Sequence, residues 1–261
     1  NEPDVKWQDS VTPEAYAEMA RATVARGFTA LKFDPFPGPW RQFVGREGEG
    51  AFIANVTAVR EAVGPQIDLL IEGHRRLAPM HAIRLANAIA PLGIYWYEEP
   101  VPANNVAALA EVRREAPMPI VTGETLYSKG DFVPIFEERA ADIINPDVCS
   151  CGGILELREI AAMAEPYYVA VSPHNYNSTS IGLAATVHAA ATMPNFIITE
   201  YFVNFAPTSE AIAPCALRPR EGYIPLPDRP GLGVDLDEQM LAECAYRQYP
   251  KRSFPDLSQE R

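Results

Sequence analysis

Cysteine is scarce, basic residues are outnumbered, and long apolar runs are missing. Four Cys in 261 residues make no disulfide framework. Cys149 and Cys151 lack the second pair that a zinc site needs, and read as small buried thiols in a reducing cytoplasm. Lys and Arg number 22 against 34 Asp and Glu, a net charge of −12. No basic patch interrupts that acidity, which argues against nucleic acid as a partner. No stretch approaches the roughly 20 apolar residues that span a bilayer, so the expectation is a soluble, cytoplasmic protein with no membrane partner. The chain opens Asn1-Glu2-Pro3, without an initiator Met or a signal peptide, which predicts a part of a longer polypeptide.

What is present is a rhythm. A hydrophobic fraction of 48% supplies a core and excludes global disorder. Short β-branched and aromatic runs at 28–33, 67–71, 94–97, 119–122, 141–144, 168–171 and 196–199 have the length of buried strands. Amphipathic stretches lie between them, several with cap signals such as Thr12-Pro13-Glu14 and Ser128. Strands alternating with helices, without hairpin signals, predict a parallel α/β architecture.

Polar residues then fall at the strand ends. Glu72, Glu98, Glu124, Asp147, His174 and Glu200 follow one another at intervals of 23 to 27 residues, the length of one strand-helix unit. A doubly wound sheet gathers ligands only near its switch point. Six ionisable groups on six successive tips converge only if the sheet closes, as in a TIM (β/α) barrel whose site lies at the carboxyl ends of its strands. Seven strands are visible where a barrel needs eight. The first strand is therefore expected to be absent from this chain, with 1–205 forming strands 2 to 8 and 206–261 a Pro-rich C-terminal segment.

Glu72, Glu98 and Glu124 put three carboxylates on adjacent tips. They would repel one another unless a cation neutralised them, and hard oxygen ligands suit Mg²⁺. Asp147 beside His174 is the usual preparation of a general base. His74, two residues beyond Glu72, would share its inward face if the strand persisted, and could serve as an acid. Lys32, Asp34 and Arg76 are the candidate substrate contacts. His81 and His188 fall inside helices and read as structural. The segment Gly45-Arg46-Glu47-Gly48-Glu49-Gly50 has the wrong order for a phosphate loop and reads as a flexible lid over the site.

Glu98-Glu99-Pro100 after Tyr95-Trp96-Tyr97, Gly123-Glu124, Asn145-Pro146-Asp147 and Ser172-Pro173-His174-Asn175 resemble the mandelate racemase and muconate-lactonizing branch of the enolase superfamily. Glu72-Gly73-His74 resembles the acid-sugar, galactonate-type dehydratases within it. The resemblance runs from about Pro13 to Phe202. It implies a modified barrel whose N-terminal capping domain is missing here, with the C-terminal segment packing on that cap, and an assembly of identical subunits. It implies Mg²⁺ on Glu72, Glu98 and Glu124, Asp147-His174 as the base, His74 as the acid that protonates a departing hydroxyl, and Glu200 as a stabiliser of the enolate oxygen. The implied activity is a hydro-lyase acting on a sugar acid to give a 2-keto-3-deoxy acid.

Two positions depart from the family pattern. Glu72 stands where Asp is usual, and Lys32-Phe33-Asp34 lacks the second Lys of a Lys-x-Lys pair, which counts against racemisation and favours dehydration. A racemase, epimerase or cycloisomerase of the same scaffold, a metal-dependent hydrolase and a non-catalytic barrel are the alternatives.

Overall fold

The computed structural model describes residues 12–36, 42–176, 178–214, 217–244, 246 and 248. Asn1-Glu2-Pro3 and the last stretch of the C-terminal segment lie outside them. Six strands form one parallel sheet in sequence order: β1 Ala30–Phe33, β2 Asp68–Glu72, β3 Ile94–Glu98, β4 Ile120–Thr122, β5 Ile143–Ile144 and β6 Ala170–Val171. The seventh predicted strand contributes only an isolated parallel bridge, Val171 to Phe196.

Helices alternate with the strands: α1 Pro13–Val24, α2 Arg46–Val63, α3 Pro79–Ile89, α4 Val106–Glu115, α5 Lys129–Glu137, α6 Ile154–Ala164 and α7 Thr179–Ala190. Their starts follow the sequence signals. The Thr12 hydroxyl accepts from the Ala15 N–H ahead of Pro13. Asn105 caps α4 through the Ala108 N–H, and the Asp131 carboxylate accepts from the Ser128 N–H in a capping box. Each bond satisfies an amide that a helix start otherwise leaves open.

Period-two alternation separates the two faces of the sheet. Leu70, Trp96, Val121 and Ile143 make an inner cluster, joined by Ala30, Ala170 and Ile198. Seven successive segments thus fill one interior layer, as barrel strands do. The intervening residues, among them Leu69, Ile71, Tyr97, Ile120, Ile144 and Val171, pack outward into the helix layer. The two ends of the run meet where Phe28 lies 5.8 Å from Tyr201, centroid to centroid. The sheet therefore curls round rather than lying open.

Two expectations need correcting. Gly45–Gly50 is no lid, because α2 begins at Arg46 and runs through it. The buried face Phe52, Asn55, Val56 and Val59 draws the helix in, and Glu49 anchors its first turn to His81 and Arg84. Cys149 is exposed, and of the pair only Cys151 is buried. The C-terminal segment holds two short helices, α8 Ala206–Ile212 and α9 Glu238–Glu243. Its Leu217, Ile224, Leu232 and Val234 pack on Leu183, Ala184 and Val187 of α7. No helix among the described residues is long and apolar enough to cross a membrane.

Candidate active site

The layer above the inner cluster is polar. Two residues beyond Ala30, Leu70, Trp96, Ile143 and Ile198 stand Lys32, Glu72, Glu98, Asn145 and Glu200. Strand register does the first part of the assembly. Glu72 pairs with Glu98 across β2 and β3, and Asp147 pairs with His174 in a parallel bridge. Residues in such register share a face, so both pairs are side by side before any side chain chooses a rotamer.

One carboxylate oxygen from each of Glu72, Glu98 and Glu124 lies within 4.8 Å of the others. At that spacing and an effective dielectric of about 20, each charged pair repels by roughly 3 kcal/mol. Two things relieve the strain. Lys32 Nζ sits among the acids, 2.6 Å from Glu98 Oε1, 3.0 Å from Glu200 Oε1 and 3.3 Å from Glu72 Oε2. Burial opposes its ammonium, but Glu200, Glu98 and Glu72 outweigh that and hold its pKa well above the ordinary lysine value. Burial also pushes the Glu72 carboxyl up to about 7. Burial and then the Glu72 charge raise Glu98 well above the carboxylate range. Glu124 differs: burial is outweighed by His174 and Arg75, and its pKa is lowered.

The oxygens of the cluster are closely held. Glu98 Oε1 accepts from Asn145 Nδ2 at 2.8 Å and Glu98 Oε2 from Trp96 Nε1 at 3.1 Å. Glu72 Oε1 accepts from the His74 N–H at 2.7 Å. Glu124 Oε1 bonds Arg75 Nη1, and its Oε2 lies 3.2 Å from His174 Nε2. Three carboxylate oxygens converging within 4.8 Å of one another, on a hard all-oxygen donor set, fit a hard divalent ion.

His174 Nδ1 lies 2.7 Å from Asp147 Oδ2, while Asp147 Oδ1 accepts from the Cys149 N–H. Burial works against the imidazolium, but the Asp147 bond and the Glu200 charge prevail, and the His174 pKa is raised. Glu200 Oε2 accepts from the Asn175 N–H at 2.9 Å and stands 3.6 Å from His174 Nε2.

His74 reaches the site by another route than expected. β2 ends at Glu72, and His74 and Arg75 follow in the left-handed region, with φ 47° and 61°. Such strain in non-glycine residues needs surrounding structure to impose it. Gly73 allows that turn, since a Cβ there would stand 2.8 Å from the Glu99 carbonyl oxygen and 3.0 Å from Pro100 Cα. His74 Nδ1 then lies 2.7 Å from Asp34 Oδ2, which also accepts from Arg76 Nη2 at 2.5 Å. Of the three candidate substrate contacts, Lys32 is thus engaged with the carboxylates, and Asp34 and Arg76 with each other and His74.

Arg75 went unremarked in the sequence, and Glu99, Asn145 and Trp96 stood in its motifs without an assigned role. Asn145 had a signal, lying two residues before Asp147 in the strand-tip pattern. Arg75 had none, because an Arg beyond a strand end reads as solvated until the left-handed turn brings it to Glu124. Glu99 is fully buried, accepts from Thr122 Oγ1 and the Gly123 N–H, and is pushed up to about 7 by burial. His81, buried on α3, bonds Glu49, and His188 faces the Leu232 carbonyl.

A parallel barrel with acids and histidines at successive strand tips defines a class that comparison resolves further. The Enolase C-terminal domain-like family profile matches residues 15–240, and the chain belongs to that family. A D-gluconate/D-galactonate dehydratase of Picrophilus torridus is 30% identical over 240 residues, covering 92% of this chain and 61% of that protein. A D-galactonate dehydratase family member of Streptomyces bingchenggensis is 35% identical over 192 residues, covering 73% and 46%. The crystal structure of a mandelate racemase/muconate lactonizing enzyme-like protein from Rubrobacter xylanophilus superposes with a TM-score of 0.85 at 40% identity, covering 91% of this chain and 62% of that one. The chain thus spans about half to three fifths of the length of these relatives.

Proposed function

We propose that this chain carries the catalytic barrel of a metal-dependent sugar-acid dehydratase. The observation that supports it is the cluster of Glu72, Glu98 and Glu124, flanked by His174 on Asp147 and His74 on Asp34. Relatives named as galactonate and gluconate dehydratases agree in class.

A proton α to a carboxylate is lost only when the resulting enediolate is stabilised. Mg²⁺ held by Glu72, Glu98 and Glu124 would supply the positive charge for that carboxylate. Lys32 adds a second cation on the same side. Glu200, fixed by the Asn175 N–H, would serve the enolate oxygen as a proton donor in its acid form. His174 takes the α-proton on Nε2, while Asp147 keeps Nδ1–H in place and stabilises the imidazolium. His74 gives a proton to the β-hydroxyl as the C–O bond breaks, water leaves, and the enol product tautomerises to a 2-keto-3-deoxy acid. The C-terminal segment packs on α7, and the remainder of its role is to complete a cap over the strand tips in an assembly of identical subunits.

The test is a panel of aldonic acids incubated with the protein and Mg²⁺, read by NMR for 2-keto-3-deoxy products. Formation of such a product supports the reading. Solvent deuterium entering the α-position with no loss of water from any acid would favour an epimerase. A relative named D-galactarolactone cycloisomerase, 33% identical over 196 residues, makes lactone opening or closure the further outcome to score.

A further inference from the structure

Asp34 is a firmly anchored carboxylate outside the cluster, and the reaction as described leaves it without work. It follows β1, where its Oδ1 accepts from the Phe36 N–H at 2.9 Å. Its Oδ2 takes Arg76 Nη2 at 2.5 Å and faces His74 Nδ1 at 2.7 Å. Its own carbonyl accepts from the Tyr16 hydroxyl at 2.7 Å. Arg76 is buried, and its guanidinium lies 4.4 Å over the Phe36 ring. The carboxylate is therefore held from the end of β1 and the turn after β2 at once, while α1 fixes the residue's backbone carbonyl.

We infer that Asp34 is a positioning residue for His74, clamped by Arg76, and forms a second His–Asp pair that mirrors Asp147 and His174. β2 and β6 stand four places apart in the strand order, so in an eight-place ring the two histidines approach the carboxylate cluster from opposing sides. The 2.7 Å contact makes Nδ1 the donor to Asp34 and fixes the ring's rotamer. The proton that His74 delivers then leaves from Nε2, the pair of the breaking C–O bond goes to the departing oxygen, and Nδ1–H stays on Asp34. Asn in its place could not do this. Asp34 accepts three donors on two oxygens, whereas an amide has one acceptor oxygen, so an Asn here turns its NH₂ against a donor whichever way it lies.

This rests on His74 acting as the acid, and the experiment separates the two ideas. Asp34→Asn should keep α-deuterium exchange within about threefold of the parent, because His174 is untouched. Dehydration should fall about 100-fold or more, the scale of a lost general acid. Asp34→Glu should recover part of it. Equal loss of exchange and dehydration, or loss of neither, would overturn the assignment. A readout without substrate and with Asp34 intact is the ¹⁵N spectrum of the neutral His74 ring in the parent protein, assigned by comparison with His74→Gln. The Nδ1–H tautomer is expected, and the Nε2–H tautomer overturns the pairing. If the parent exchanges α-protons yet dehydrates no acid, the dehydratase reading fails while the tautomer still decides for or against Asp34.

Discussion

Replacing Asp147 by Asn tests the base half of the site with the least disturbance of its shape. Asp147 Oδ2 is 2.7 Å from His174 Nδ1, and its Oδ1 takes the Cys149 N–H. An Asn keeps an oxygen for that backbone amide but turns an NH₂ toward the imidazole. His174 then accepts on Nδ1 and carries its proton on Nε2, the atom that should receive the substrate proton. A hydrogen bond to a charged group contributes about 1.5–3 kcal/mol, so its loss lowers the His174 pKa and weakens the base. Together with the wrong tautomer, the turnover should fall about 10³- to 10⁴-fold, as in an Asp-to-Asn change behind a catalytic His. The pH profile should move as well. In the parent, kcat/KM rises with pH through the His174 value, which lies above the ordinary imidazole value of about 6.5 because Asp147 and Glu200 outweigh burial. In the variant that limb moves to lower pH. The assay is α-deuterium exchange and product formation from pH 5 to 9, with Mg²⁺ affinity measured by calorimetry as the control, since all three carboxylates are intact. Turnover within about threefold of the parent, with an unmoved acid limb, would refute the dyad.

Gly73→Ala should cost about 1–3 kcal/mol of stability, because its Cβ would meet the Glu99 and Glu98 carbonyls at 2.8 and 3.1 Å; an unchanged denaturation midpoint would contradict that packing. Trp96→Phe should cost about 1–3 kcal/mol beyond the lost area, since Glu98 Oε2 loses its Nε1–H donor in a buried setting; urea melts of the two proteins decide it. Glu99 sits at about 7 in the fold, above its unfolded value, because it is buried. The folded state therefore holds the proton longer: this contribution is whole below the unfolded value of about 4.3 and is lost as pH rises through 7, up to roughly 4 kcal/mol. Glu99→Gln should flatten the decline in stability of the metal-free protein between pH 4.5 and 8, and a slope identical to the parent's would count against it.

The strand tips were legible because strand register and period-two alternation are properties of the chain itself. Glu72 and Glu98 are aligned by the ladder between β2 and β3, and Asp147 and His174 by their bridge, so reading the ends of apolar runs was enough to bring them together. The seventh run was legible as a strand, yet it keeps only the bridge at Phe196. Turn geometry was not legible. The left-handed pair His74 and Arg75 depends on Gly73 fitting against the 98–100 backbone, a contact between segments that periodicity does not encode. It alone explains why Arg75 meets Glu124 and why His74 meets Asp34. The helix through Gly48 and Gly50 was hidden for a related reason. Local glycine content argues for a loop, while the apolar face further along α2 and the Glu49 contacts to α3 override it.

The most direct test of the whole account is titration of Mg²⁺ into chelator-treated protein, followed by calorimetry and by dehydration of an accepted sugar acid on the same samples. One ion should bind per chain, activity should return in proportion to occupancy, and Glu98→Gln should abolish both. Full activity in excess EDTA, or Mg²⁺ binding unchanged in Glu98→Gln, would contradict a reaction centred on Glu72, Glu98 and Glu124.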